Sequence, residues 1–281
     1  MALNTSGAPA AFLPEHVGPL IVRPMTADSV AIQVSTLIKT AETNGFRVPI
    51  VAADPTAAWT AESAPITASD PTLTEVSTPY FKLAGLTVIS NELANDSDPA
   101  ALEVVGQGLA RDIARKADAA FFGTKGSSPV TPAGLGDLTG VNAVAGPAAW
   151  ADVDPFLEAI YAAEGVGATV GAFVANPADA LALAQLKESA GSNRTLLTPD
   201  ATQPARRLLA GIPLLTSPGV AAGTVWGIPA DRALVAVRQD AELTVSPDAY
   251  FSSDQTAVRA ILRIAFAFPH AAAIQKITLT P

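Results

Sequence analysis

The stretch DPAALEVVGQGLARDIARKADAAFFG, residues 98–123, decides how the rest of the chain is read. Asp98 offers a side-chain acceptor for the free amides of a helix start, and Pro99 suits the first helical position, where no amide donor is needed. From there Leu102, Val105, Leu109, Ile113, Ala117 and Phe121 recur at three- and four-residue steps. That is the apolar stripe of an amphipathic helix. Arg111, Asp112, Arg115, Lys116 and Asp118 fall mostly off the stripe, Gly106 and Gly108 weaken the helix or let it bend, and Gly123 supplies a stop. The spacing predicts a helix of roughly 24 residues, about 36 Å long at 1.5 Å per residue and about twice the mean globular length.

Upstream, Phe46–Val51 and Val76–Ser90 read as strands, the second rich in aromatic and β-branched residues. The connection between them contains Pro55, Pro65 and Pro71 and the acids Asp54, Glu62, Asp70 and Glu75. It is longer than the about 12–15 residues that a compact domain tolerates without a functional reason. We therefore expect a long hairpin projecting from the body; a plain surface loop is the other reading. Residues 1–35 carry Pro9, Pro14, Pro19 and Pro24 and little periodicity, which points to an extended arm with a short helix near Ala27–Gln33.

Downstream of a Gly/Pro/Ser-rich passage at 126–147, a mixed unit is expected. Asp154-Pro155 opens a capped helix to about Glu164, Thr169–Val174 reads as a buried strand, and Asn176-Pro177 opens a helix to about Ala190. Short strands follow at Ile212–Thr216, Thr224–Ile228, Ala233–Arg238 and Leu243–Val245, then two strong ones at Ala257–Phe268 and Ala272–Leu279.

Composition narrows the function. Charged residues are 15% of the 281, against 49% apolar. So little charge leans towards a subunit that buries surface against neighbours. The net charge of −9 is uneven: residues 51–100 hold seven acids against Lys82 alone, residues 127–200 hold eight acids against Lys187 and Arg194, and residues 201–281 hold seven bases and five acids. Acidic sectors repel nucleic acid and argue against a dedicated DNA-binding domain. With no cysteine, disulfides and thiol chemistry are excluded. The uncharged run Leu208–Ala230 is broken by Gly211, Pro213, Pro218, Gly219, Gly223, Gly227 and Pro229, so no membrane span is expected.

Catalytic groups are scarce. His16 and His270 are isolated, and no G-x-S-x-G elbow accompanies them. The acid pairs Asp96/Asp98 and Asp152/Asp154 each precede a proline-initiated helix, where capping accounts for them. GVGATVG (165–171) lies between a helix and a strand, and GLGDLTG (134–140) follows no expected strand, so neither fits a nucleotide-binding turn. The sequons at Asn4, Asn95 and Asn193 lack a secretion signal. We expect no catalytic residues, no cofactor and no metal.

The order of arm, hairpin, long helix, mixed unit and returning strands resembles the major capsid proteins of tailed bacteriophages with the Hong Kong 97 fold, across residues 10–281. Phe46–Ile50 and Ala58-Trp59-Thr60-Ala61-Glu62 look like that family's rising hairpin strand and W-x-x-E tip. Lys82–Leu93 looks like the returning strand with its S-N-E-L turn, Ala114–Gly123 like the end of the spine helix, and Val258–Ala265 like the final strand. The resemblance implies an α+β fold with an N-terminal arm (1–35), an E-loop hairpin (46–88), a P-domain (89–147 and 229–281, with its spine at about 98–122) and an A-domain (148–228). It implies self-assembly into hexamers and pentamers of an icosahedral head that encloses double-stranded DNA without reading its sequence. The implied setting is the bacterial host cytoplasm, then the virion, and the implied partners are a scaffolding protein, a portal and a maturation protease. Inter-subunit contacts would fall on Arg47, Asp54, Trp59, Glu62, Asp70 and Glu75, and spine packing on Leu102, Val105, Leu109, Ile113 and Phe121. Two departures stand out. Residues 49–81 contain no lysine for the covalent link some members form, and no long scaffolding segment precedes the arm, which implies a separate scaffolding protein or prior processing. The alternatives are an encapsulin-like shell around cargo enzymes, a small decoration or tail subunit, and, more remotely, a cytoplasmic hydrolase using an acidic pair.

Overall fold

The structure, a computed structural model, describes residues 29–40, 45–53, 55–63, 65–92, 100–189, 192, 195–197 and 207–280. In chain order its α-helices and strands are α1 (Val30–Val34), β1 (Thr36–Lys39), β2 (Phe46–Ala53), β3 (Thr72–Thr78), β4 (Phe81–Ser90), α2 (Ala100–Phe122), β5 (Asn142–Gly146), α3 (Asp154–Gly165), β6 (Ala172–Ala175), α4 (Pro177–Ala184), β7 (Arg207–Leu209), β8 (Ile212–Thr216), β9 (Thr224–Ile228), β10 (Leu234–Tyr250), β11 (Gln255–Ala267) and β12 (Gln275–Leu279). They make three sheets: the pair β2-β3, a four-stranded sheet in the order β1-β10-β11-β4, and a six-stranded sheet in the order β5-β12-β9-β6-β8-β7.

The apolar stripe of α2 explains why the helix sits between the two larger sheets. Ala110, Ile113, Ala114, Ala117 and Phe121 share one core with Val235 and Val237 of β10, Leu262, Ile264 and Phe266 of β11, and Val174, Trp226 and Ile228 of β6 and β9. Strand side chains alternate between faces. Phe173, Ala175 and Val225 therefore point the other way, into a second core with Phe156, Ala159 and Ala163 of α3 and Ala180 and Leu183 of α4. Covered on both faces, β6 and β9 are buried along their whole length and need no polar alternation.

Several boundaries differ from the expectations. The stretch 76–90 is two strands, because Pro79 cannot donate to a ladder. β3 pairs with β2, whereas β4 pairs with β11, so the free hairpin ends at Thr78. Ala233–Arg238 and Leu243–Val245 belong to one strand of 17 residues, β10. Register shifts between Val237 and Gln239 and between Gln239 and Glu242 are irregularities that carry the pairing with β11 across the polar interruption. Helix α4 ends at Ala184 instead of near Ala190. Beyond it Lys187 forms a bridge with Thr195, and the Leu196 amide donates to the Leu186 carbonyl at 2.8 Å. The short helix α1 starts at Val30, capped by Ser29, rather than at Ala27. Strands β1, β5 and β7 were not expected. The first two pair in parallel with β10 and β12, distant in sequence, so no local turn announces them.

Helix ends are also informative. Asn176 caps α4 as expected, its Oδ1 accepting from the Ala178 amide at 3.1 Å. Asp154 does not cap α3. The cap position is Val153, and Asp152 Oδ1 accepts from the Asp154 amide at 3.2 Å. Asp96 and Asp98 lie outside the described residues. The GVGATVG stretch ends α3 in a Schellman motif: Gly167, at φ 72°, donates to the Glu164 carbonyl at 2.9 Å, and Ala168 donates to the Ala163 carbonyl at 3.0 Å. Nothing lies near the position of a Gly167 Cβ, so only backbone strain opposes a side chain. Gly167→Ala is expected to cost about 1–2 kcal/mol in a urea unfolding titration.

Candidate assembly surface

The β2-β3 hairpin joins neither larger sheet. Its register runs from Phe46 opposite Thr78 to Ala53 opposite Thr72. Such a two-stranded ribbon is marginal in water and normally needs a packing surface. The hairpin and the connection it carries leave large apolar groups in solvent: Trp59 is fully exposed, and Val51, Ile66 and Leu73 are 52%, 83% and 68% exposed. Between the strands, the Ser69 hydroxyl donates to the Thr56 carbonyl at 3.1 Å.

Of the expected contact residues, Arg47 and Glu75 come together, with Arg47 Nη1 3.4 Å from Glu75 Oε1 on the ribbon surface. Glu62 and Asp70 are exposed, like Trp59, and form no ion pair among the described residues. Asp54 lies outside the described residues. On α2, Ile113 and Phe121 are 2% and 0% exposed, Val105 and Leu109 are half-buried, and the side chain of Leu102 is outside the described set. Leu109 fits against β4 because Gly85 carries no side chain. A Cβ there would lie 2.4 Å from Leu109 Cδ1.

The body that carries the hairpin is tied together by a residue the stripe argument placed on the polar side. Asp118 is 6% exposed. Its Oδ1 accepts from the Ser29 hydroxyl at 2.6 Å and the Ala31 amide at 3.0 Å, and its Oδ2 accepts from the Val30 amide at 3.0 Å and the Ser217 hydroxyl at 3.5 Å. One carboxylate thus caps α1, anchors the segment that follows residues 1–28, and meets the turn after β8. Burial pushes the Asp118 carboxyl up from its ordinary value, against the opposing pull of the Ser29, Ala31, Val30 and Ser217 hydrogen bonds. The Ser29-x-x-Ile32 start of α1 was the only local hint, since Ser29 also caps it by accepting from the Ile32 amide at 3.3 Å.

The glycine stretch 134–140 serves the same body. The Gly136 amide donates to the Gly123 carbonyl at 3.0 Å, and a Cβ on Gly134 would lie 2.1 Å from the Ala120 carbonyl oxygen. The loop therefore lies directly on the last turn of α2 and satisfies carbonyls a helix end leaves open. Gly123 is not a left-handed stop. Its amide continues the helical pattern to Ala119 at 3.0 Å, and crowding against the Ala119 carbonyl excludes a side chain there.

Among the described residues no three His, Asp or Glu side chains group as metal ligands, and no helix is long and apolar enough to cross a membrane. His270 precedes a short turn at Ala271–Ala273, and His16 lies outside the described residues.

The family model described as Phage capsid family matches residues 10–279. No curated protein matches the chain. Among solved structures, Gordonia phage Cozz is 18% identical with a TM-score of 0.71, covering 90% of this chain and 87% of its own. Microbacterium phage Oxtober96 is 17% identical with a TM-score of 0.72, covering 90% and 91%. The capsid of a native GTA particle is 22% identical with a TM-score of 0.69, covering 100% and 96%.

Proposed function

The chain belongs to the phage capsid family as a major capsid protein, a structural shell subunit and not an enzyme, and on that premise we propose that its free hairpin packs on a neighbouring copy. The fold is α+β of the Hong Kong 97 type, and the protein resides in the virion capsid. In this reading residues 1–35 are the arm and 46–88 the E-loop, with β4 rooted in the body. Residues 89–147 and 229–281 make the P-domain around α2, and 148–228 make the A-domain, whose sheet borrows β5 and β12. Copies assemble as hexamers and pentamers in the host cytoplasm, with a scaffolding protein, a portal and a maturation protease, and the finished head encloses double-stranded DNA held without sequence readout. Residues 49–81 offer no lysine, so the hairpin contributes no amine to a covalent link.

The observation that carries this reading is the full exposure of Trp59 in the connection carried by a ribbon that, among the described residues, pairs with no other strand. An aromatic side chain of this size is stable in solvent only at a cost that burial against a partner removes. Negative-stain images of the purified protein at rising concentration test it: closed shells or rings of five or six are expected, and a strict monomer at high concentration contradicts it. Trp59→Ala should leave unfolding unchanged and weaken assembly by about 2 kcal/mol per contact, the scale of an interface hot spot, read as the shift in the concentration at which particles appear.

A further inference from the structure

Beside the C-terminal half of α2 lies an open groove of about 350 Å³, between β4, β11 and the loop after Gly123. Its floor and walls are largely apolar, with Leu83, Ala120, Val130 and Phe266 among them, and two lysines, Lys82 and Lys116, complete the lining. Val130 is 73% exposed. Both lysines are exposed, and neither has an ion-pair partner among the described residues. An apolar trough with two unpaired cations calls for an apolar group joined to an acid.

We propose that this groove receives Trp59 and Glu62 from the hairpin of a second copy. The proposal rests on the shell reading above and names the surface on which the hairpin lands. Residues 51–81 carry Asp54, Glu62, Asp70 and Glu75 with no lysine or arginine, so the hairpin segment is complementary to the lysine pair and not to the acidic sectors. Glu75 is already engaged by Arg47, while Glu62 stands three residues from Trp59 with no ion-pair partner among the described residues, within reach of the same site. The groove cannot be filled by its own hairpin. Trp59 is fully exposed, and the ladder from Phe46/Thr78 to Ala53/Thr72 holds the tip about 25 Å from the hairpin root, at about 3.3 Å per residue. Lys82 follows that root by only four residues. A second copy is therefore the source.

The test uses shells assembled from an equal mixture of isotopically heavy and light full-length chains. Treatment with a water-soluble carbodiimide, which joins a carboxylate to an amine in direct contact, is expected to link the Glu62 peptide to the Lys116 or Lys82 peptide. Half of those links should pair a heavy with a light peptide. In parallel, Glu62→Lys should raise the concentration needed for assembly about 2- to 5-fold, and adding Lys116→Glu should restore it; both positions are exposed, so folding is not at stake. Shells that form normally but link Glu62 to other lysines, or to none, overturn the groove and leave the shell reading standing, as does link formation only within one chain. A wild-type protein that forms no particles at any concentration overturns the shell reading, and the groove with it.

Discussion

Phe121→Ala is expected to lower the stability of the subunit by about 3–5 kcal/mol, the usual cost of removing a buried phenylalanine. Phe121 is fully buried and meets Phe122, Phe266 and Phe268 with ring centroids at 5.1, 5.2 and 5.4 Å. These rings come from α2, β11 and the end of the four-stranded sheet, so the cavity opens where the helix is held to that sheet. The glycine loop that rests on the Ala120, Phe121 and Gly123 carbonyls limits collapse of the site. A urea titration of the unassembled subunit measures the loss, and Phe121→Leu should recover more than half of it. Equal unfolding midpoints for Phe121→Ala and the parent would mean that α2 does not organise the core.

Asp118→Ala comes next, at about 3 kcal/mol. It leaves the Ala31 and Val30 amides without their acceptor and the Ser29 hydroxyl without a buried partner, each such loss costing about 1–3 kcal/mol with partial relief from water. Asp118→Asn keeps one acceptor oxygen and should cost about 1–2 kcal/mol at low pH. The two forms diverge with pH. The folded carboxyl titrates above its ordinary value of 3.8, because burial outweighs its hydrogen bonds. The folded chain therefore holds that proton more tightly than the unfolded chain. The proton-linked part of the Asp118 contribution is complete below the ordinary value and is lost as pH rises through the raised one. Asn carries no such dependence, so its deficit relative to the parent should shrink as pH rises from about 4. A deficit that grows with pH would mean that the hydrogen bonds win over burial.

How far the fold was legible follows from the range of the interactions that make each element. Helices α2 and α3 announce themselves through local spacing, since the side chains that define the stripe are three and four residues apart. Strands β8 and β9 were found at their observed bounds because Gly and Pro punctuate both sides. Long-range pairing is what stayed hidden. β1 is four residues that match β10 some 198 positions away, as with Thr36 opposite Leu234. β10 looked like two strands because the polar residues between its halves interrupt the apolar pattern, though pairing continues through irregularities in register.

The surface residues divide the same way. Trp59 could be singled out only through the likeness of Ala58–Glu62 to the family's hairpin tip. Asp118 could not, since its partner Ser29 is 89 residues away and a charged residue beside an apolar stripe reads as solvated. The glycine stretches at 134–140 and 165–171 both echo a nucleotide-binding fingerprint without its strand-to-helix setting. They do different jobs, the first through close approach to a helix end and the second through a left-handed cap.

Tryptophan fluorescence during assembly reads the central claim most directly. The chain has three tryptophans; Trp150 and Trp226 are 8% and 2% exposed within the subunit, and Trp59 is fully exposed. Acrylamide should therefore quench mainly Trp59 in unassembled subunits. On assembly that quenching should fall and the emission shift to the blue, with neither change in Trp59→Phe. Particles that form while Trp59 stays as open to acrylamide as before would contradict the claim that the hairpin finds its packing surface on another copy.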